Sequence, residues 1–257
     1  DFVAGHGTGN PVYALGLSTE KPLALAGKTA SVPCFASLAD IQAMIGDPDS
    51  ERMLRAIQGM DAKPGSPESV VQQANKTALD AMDVLATQLQ KFTPKQTYGT
   101  DPFGQGFKQI SQLIATSPQT RIVYFSTGGF DTHARQIDTQ NKLLGNFANA
   151  VSAFQAEMEA CGRADKVVVL VFSEFGRRVA ENGSQGTDHG AAGPMLLIGK
   201  KVKGGLHGAN PDLANLMNGD LKYQIDFRQV YASTLDTWIG GDSGVVLGQQ
   251  FQHVDVY

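Results

Sequence analysis

Two apolar runs, Ile122–Ser126 and Val167–Ser173, constrain the fold of this chain more than any other feature of it. Each is short and ends in a polar loop. Between them lies an amphipathic stretch, roughly Asp138–Cys161, with Leu143, Leu144, Phe147, Ala150, Val151, Phe154 and Met158 on one face. Strand, crossover helix, strand is a βαβ unit, which predicts parallel pairing and a right-handed connection. A third short strand is expected over Pro194–Ile198. A closing helix is expected over Asp226–Gly240, where Asp226 caps, Gln229 completes a capping box and Gly240 stops the helix.

The upstream chain reads differently. Val12–Leu17 and Val32–Phe35 are strand candidates among glycine- and proline-bearing turns. Ser37–Ile45 and Ser50–Gly59 are expected to be short helices, the second capped by Ser50, and Met60–Pro67 has the composition of a linker. From Pro67 to Phe92 one long helix is expected, with Val70, Val71, Ala74, Ala78, Ala81, Met82, Leu85 and Leu89 along one face. Phe103–Thr116 repeats the pattern with Phe107, Ile110, Leu113 and Ile114. The expected organisation is an irregular, short-strand segment over 1–66 and an α/β core over 67–257, both in one domain.

Composition removes several classes. A chain of 257 residues, 42% hydrophobic, can bury one large core. A formal charge of −4, with no basic cluster beyond Lys200-Lys201-x-Lys203, argues against nucleic acid as a partner. That triplet reads as a solvated turn. The longest apolar run, Val167–Phe172, has the length of a strand and falls far short of the roughly 18 residues of a membrane span. Cys34 and Cys161 lack metal-ligand spacing and are expected to be small buried hydrophobes rather than a disulfide. The sequence opens at Asp1 with neither an initiator Met nor a leader pattern. A removed targeting segment or a longer parent chain is the expectation.

In open α/β sheets, ligands bind beyond the carboxyl ends of the strands. The two strand-end loops here are Thr127-Gly128-Gly129-Phe130-Asp131-Thr132-His133 and Ser173-Glu174-Phe175-Gly176-Arg177-Arg178. A third, Asn182–Gly190, carries Asp188 and His189. Carboxylates mixed with imidazoles are the ligand set for zinc or another divalent cation. An Asp-x-His pair in extended chain can direct both side chains to one point, since alternate residues share a face. Each residue has a plainer use. Asp131 could cap the next helix, His133 could be a hydrogen-bonded surface histidine, and Glu174 with Arg177 could be a strand-end ion pair. Beside a metal, Arg177 could instead bind a tetrahedral oxyanion through its planar fork.

In series, Gly128-Gly129-Phe130-Asp131-Thr132-His133, Ser173-Glu174-Phe175-Gly176-Arg177 and Gly186-Thr187-Asp188-His189-Gly190 resemble a widespread bacterial family of exported proteins. That family is named only as a domain of unknown function and is grouped with sulfatases in the alkaline phosphatase superfamily. Val202-Lys203-Gly204-Gly205 and Asp226–Tyr231 extend the resemblance over about residues 65–250. It implies a three-layer α/β/α sandwich with a mostly parallel sheet and export to the periplasm or beyond. It also implies a divalent metal, with zinc first and calcium, magnesium or manganese as alternatives. By the resemblance Asp131, His133 and His189 would be ligands of one metal. Glu174 falls where a second metal is usually served, although the neighbouring Phe175 cannot ligate. Arg177 and Asp188 would act on the bound substrate, a small anionic ester or oxyanion.

The superfamily's early strand, with its metal-binding Asp and following nucleophile, has no counterpart in Asp1–Thr29. Gly5-His6-Gly7-Thr8-Gly9 reads as a flexible terminus. The chain is therefore expected to lack its first strand, and a partner chain or an N-terminal segment would complete the sheet. Three functions follow as expectations: a metal-dependent hydrolase of phosphate or sulfate esters whose nucleophile is not found here, a non-catalytic binding or assembly protein that kept the fold, and a metal-dependent transferase or mutase. Retained metal favours the first and third.

Overall fold

The computed structural model describes residues 2–7, 9–27, 31–45, 47–89 and 92–257. The protein is a mixed α/β chain with a small three-stranded parallel sheet and two small antiparallel ladders. It divides into two compact units.

The first unit takes the chain up to Thr127 together with Ala150–Glu157. The glycine-bearing start is not featureless. It forms a short helix, α1 (Phe2–His6), with the His6 ring stacked on Phe2 at 4.2 Å. The strand β1 (Ala14–Leu17) follows, and all four of its residues are buried. A strand apolar on both faces belongs in the middle of a parallel sheet, and β1 sits there, between β2 (Cys34–Phe35) and β3 (Ile122–Phe125). Leu15 lies opposite Val123 in parallel register and Gly16 opposite Cys34. The strand candidate Val12–Leu17 thus supplies the sheet's central strand.

Four helices lie between β2 and β3 in chain order among the described residues. The first is α2 (Leu38–Ile45), and α3 (Pro48–Gln58) is capped by Asp47, not Ser50. The Asp47 carboxylate accepts from the Asp49 N–H, while the Ser50 hydroxyl donates to that same carboxylate. A proline at the first helical position suits a cap one residue before it. In α4 (Pro67–Gln88), Ser66 caps and Leu79, Ala81, Met82 and Leu85 are buried. Val70 and Val71 are exposed, so the apolar stripe does not run the whole helix. The amino-terminal half is held by polar contacts instead: the Gln72 amide donates to the Ile57 and Met60 carbonyls and the Asn75 amide to Leu54. Asp101 caps α5 (Pro102–Thr116), which buries Phe103, Phe107 and Leu113. Leu15, Leu17, Phe35, Ile41, Leu79, Leu85, Leu89 and Leu113 form one core. Within this unit the fully buried Glu157 accepts the Lys95 and Gln96 N–H groups, each at 2.9 Å, which satisfies a carboxylate that burial would otherwise penalise.

The second unit comprises Gly128–Asn149 and Met158–Tyr257. It holds both ends of α6 (Gln136–Ala160), followed by β4 (Val169–Val171). Two short strands, β5 (Gly176–Arg177) and β6 (His189–Gly190), come next, and then β7 (Leu196–Ile198). The expected parallel pairing of β3 with β4 is not among the described ladders. β4 pairs with β7 in antiparallel register, Leu170 opposite Leu197. Hydrophobic periodicity identifies strands without choosing partners, and the apolar Leu196–Ile198 returns to β4 through the small β5–β6 ladder. The capping box on α7 (Phe227–Ser233) is present: Asp226 accepts from Arg228 N–H, and the Gln229 side chain accepts from Asp226 N–H. A π-helical turn over Thr234–Ile239 ends at Gly240 in left-handed conformation, and α8 (Ser243–Leu247) follows. Cys34 and Cys161 share no disulfide. No helix is long and apolar enough to cross a membrane among the described residues.

Candidate metal centre

The site is built from three loops of the second unit. A three-residue turn, in which Thr132 N–H donates to the Phe130 carbonyl at 2.8 Å, puts Asp131 at its apex. His133 follows two residues on. The third loop folds around Asn182, whose side-chain oxygen accepts the Ser184 and Gly186 N–H groups at 2.9 and 3.2 Å. Local capture of backbone N–H groups is what asparagine does in turns. The two loops are then tied together: Arg135 and Gln136 N–H groups donate to the Ser184 and Gln185 carbonyls, both at 3.0 Å. Gly186 passes so close that an added Cβ would lie 2.5 Å from the His133 carbonyl carbon. That approach needs glycine.

At this junction Asp131 Oδ1 is 3.0 Å from His133 Nε2 and 2.7 Å from His189 Nε2. One donor atom from each of the three residues lies within 4.8 Å of the others. Ligands at 2.0–2.2 Å from one tetrahedral cation would stand about 3.4 Å apart. Asp131 Oδ1 therefore stands slightly closer to each imidazole nitrogen than a shared ion would hold it. One carboxylate and two imidazoles suit zinc, and the fit is chemically good. The side chains remain open to solvent, Asp131 by 68%, His133 by 46% and His189 by 44%. Hydrogen bonds from His189 and then His133 hold the Asp131 carboxyl below its ordinary range.

Asp188 approaches from the far side of His133, its Oδ1 being 3.3 Å from Nδ1. Its own carboxyl is also held low, chiefly by a hydrogen bond from Asn182 and then by His133.

Glu174 is exposed and is not in the three-residue group. Its neighbour Phe175 takes the place beside the cluster, stacked on His189 at 3.7 Å and 7°. Arg177 is the ladder partner of His189, the Phe175 ring contacts both side chains, and Glu174 sits in a bend that precedes β5.

Arg177 reaches backbone carbonyls of both neighbouring loops. Its guanidinium donates to the Thr187 carbonyl at 2.6 Å and to the Phe130 carbonyl, and lies over the Phe175 ring at 5.0 Å. It clamps the two loops that carry Asp131 and His189. Thr132 and Thr187 hydroxyls are both engaged by Gln136, at 3.0 and 2.9 Å, and hold the same junction.

Fold and site together define a mixed α/β protein that presents an open carboxylate and bis-imidazole cluster at the meeting of three loops. The chain belongs to the family described as Protein of unknown function (DUF1501), which matches it over residues 18–247. No curated protein and no solved structure matches it.

Proposed function

We propose that this chain is a divalent-metal-dependent protein of the sulfatase-like, alkaline phosphatase group that acts on small phosphate or sulfate esters. The observation that carries the reading is the convergence of Asp131, His133 and His189 on one point. Asp131, His133 and His189 would hold the cation, and zinc suits them best. A divalent cation there supplies Lewis acidity toward a phosphoryl or sulfuryl oxygen. The chain's own residues bind and orient: Arg177 fixes the loop carrying Asp131 against the loop carrying His189, and Phe175 backs the His189 ring. A three-layer α/β/α arrangement and an exported location belong to the same proposal and rest on the loop motifs.

A second reading, a binding protein that kept the fold, draws on two specific observations. The cluster is open to water, which weakens the electrostatic contribution a closed site would make, and Arg177 is committed to backbone carbonyls.

The two readings separate in one assay, with zinc-loaded chain presented with nitrophenyl phosphate, nitrophenyl sulfate and inorganic phosphate. Slow ester hydrolysis that needs the metal and falls to the uncatalysed rate in His189→Ala is the expected result. Metal-dependent phosphate binding without turnover would select the binding protein. Turnover unaffected by chelator and by His189→Ala would contradict both.

A further inference from the structure

The His133 ring has a carboxylate at each nitrogen: Asp131 Oδ1 at 3.0 Å from Nε2 and Asp188 Oδ1 at 3.3 Å from Nδ1. The two nitrogens of an imidazole point outward in divergent directions. An atom that faces Nδ1 therefore stands away from whatever Nε2 faces, and Asp188 is accordingly outside the group formed by Asp131, His133 and His189. We propose that Asp188 is a positioning residue for His133, accepting the ring proton at Nδ1 so that the Nε2 lone pair is turned toward the point where Asp131 and His189 converge. The inference rests on the metal reading of that cluster.

Asp188 is itself fixed. Asn182 Nδ2 donates to its Oδ1 at 3.1 Å and to the His133 backbone carbonyl at 3.0 Å, so one amide sets both the carboxylate and the backbone of the residue it orients. The Asn182 oxygen is held by Ser184 and Gly186 N–H groups, which fix the amide's orientation. A carboxylate on the outer nitrogen of a metal-binding histidine selects its tautomer, aligns the ring and makes it a stronger donor. Asp188 is 61% exposed and Asp131 68%, so neither is placed by burial. The Asn182 turn does that work for Asp188.

Cobalt(II) titration of the 257-residue chain, followed by its visible absorption, tests this. Wild type is expected to bind one ion. Asp188→Ala is expected to lose about 10–100-fold in affinity yet still fill at saturating cobalt, with shifted bands. Asp188→Asn, whose amide oxygen can still accept from Nδ1–H, should fall between the two. Unchanged affinity and spectrum in Asp188→Ala would overturn the positioning role while leaving the three-ligand site standing. No binding even at saturation would also overturn it, since Asp188 would then be a ligand. No cobalt bound by wild type would remove the metal reading, and the positioning role with it. A measurement free of any variant is the ¹⁵N spectrum of the zinc-loaded chain: His133 protonated at Nδ1 supports the assignment, and His133 protonated at Nε2 overturns it.

Discussion

Asp131→Ala is expected to abolish divalent-cation binding while leaving the fold intact. One oxygen, Asp131 Oδ1, is shared by both imidazoles, at 3.0 Å from His133 and 2.7 Å from His189. Without it the site loses its only anionic donor and the atom that draws the two rings together. The loss in zinc affinity should exceed the roughly 100-fold that removal of an orienting group costs. Stability should stay close to that of wild type, because the side chain sits in water. Zinc titration by calorimetry, with a urea melt of the same preparation, separates the two effects. Affinity within a few-fold of wild type would mean that the cation, if bound, sits elsewhere.

Gly176→Ala should be the most damaging small substitution in the second unit. A Cβ at Gly176 would lie 1.8 Å from the Ala192 carbonyl oxygen and 2.3 Å from its carbon. Both are backbone atoms of the strand connection, which cannot rotate aside as a side chain could. Overpacking of this kind costs about 1–3 kcal/mol, and the upper end is expected here. β5 would be pushed from β6, carrying Phe175 and Arg177 away from His189, so zinc affinity should fall together with stability. Gly183→Ala is the control, since nothing lies within 4 Å of its added Cβ. Equal urea midpoints for the two variants would contradict the packing described.

Much of the local structure was legible in sequence. The Asp226–Gln229 box and Gly240 each act through backbone chemistry confined to a few residues. The Asp131-x-His133 spacing and the third loop likewise anticipated a convergence that local turns produce. Long-range partnership was not legible. β1 and β7 are strands the sequence suggests, but which edge each one meets depends on packing between distant segments. Glu174 shows the same limit: it sits in a bend outside the three-residue group, and the next residue, Phe175, stacks on His189. The two carbonyl contacts of Arg177 come from distant loops and could not be read from its place in the sequence. The sequence around Asn182 signals the shape of a turn and gives no hint of which ring that turn orients.

Zinc K-edge X-ray absorption of the reconstituted chain tests the proposed centre most directly. A single zinc with nitrogen and oxygen donors at about 2.0–2.1 Å is expected. Its scattering should fit two imidazoles, falling to one in His133→Ala or His189→Ala. A spectrum without imidazole scattering, or one unchanged by both substitutions, would contradict a site formed by Asp131, His133 and His189.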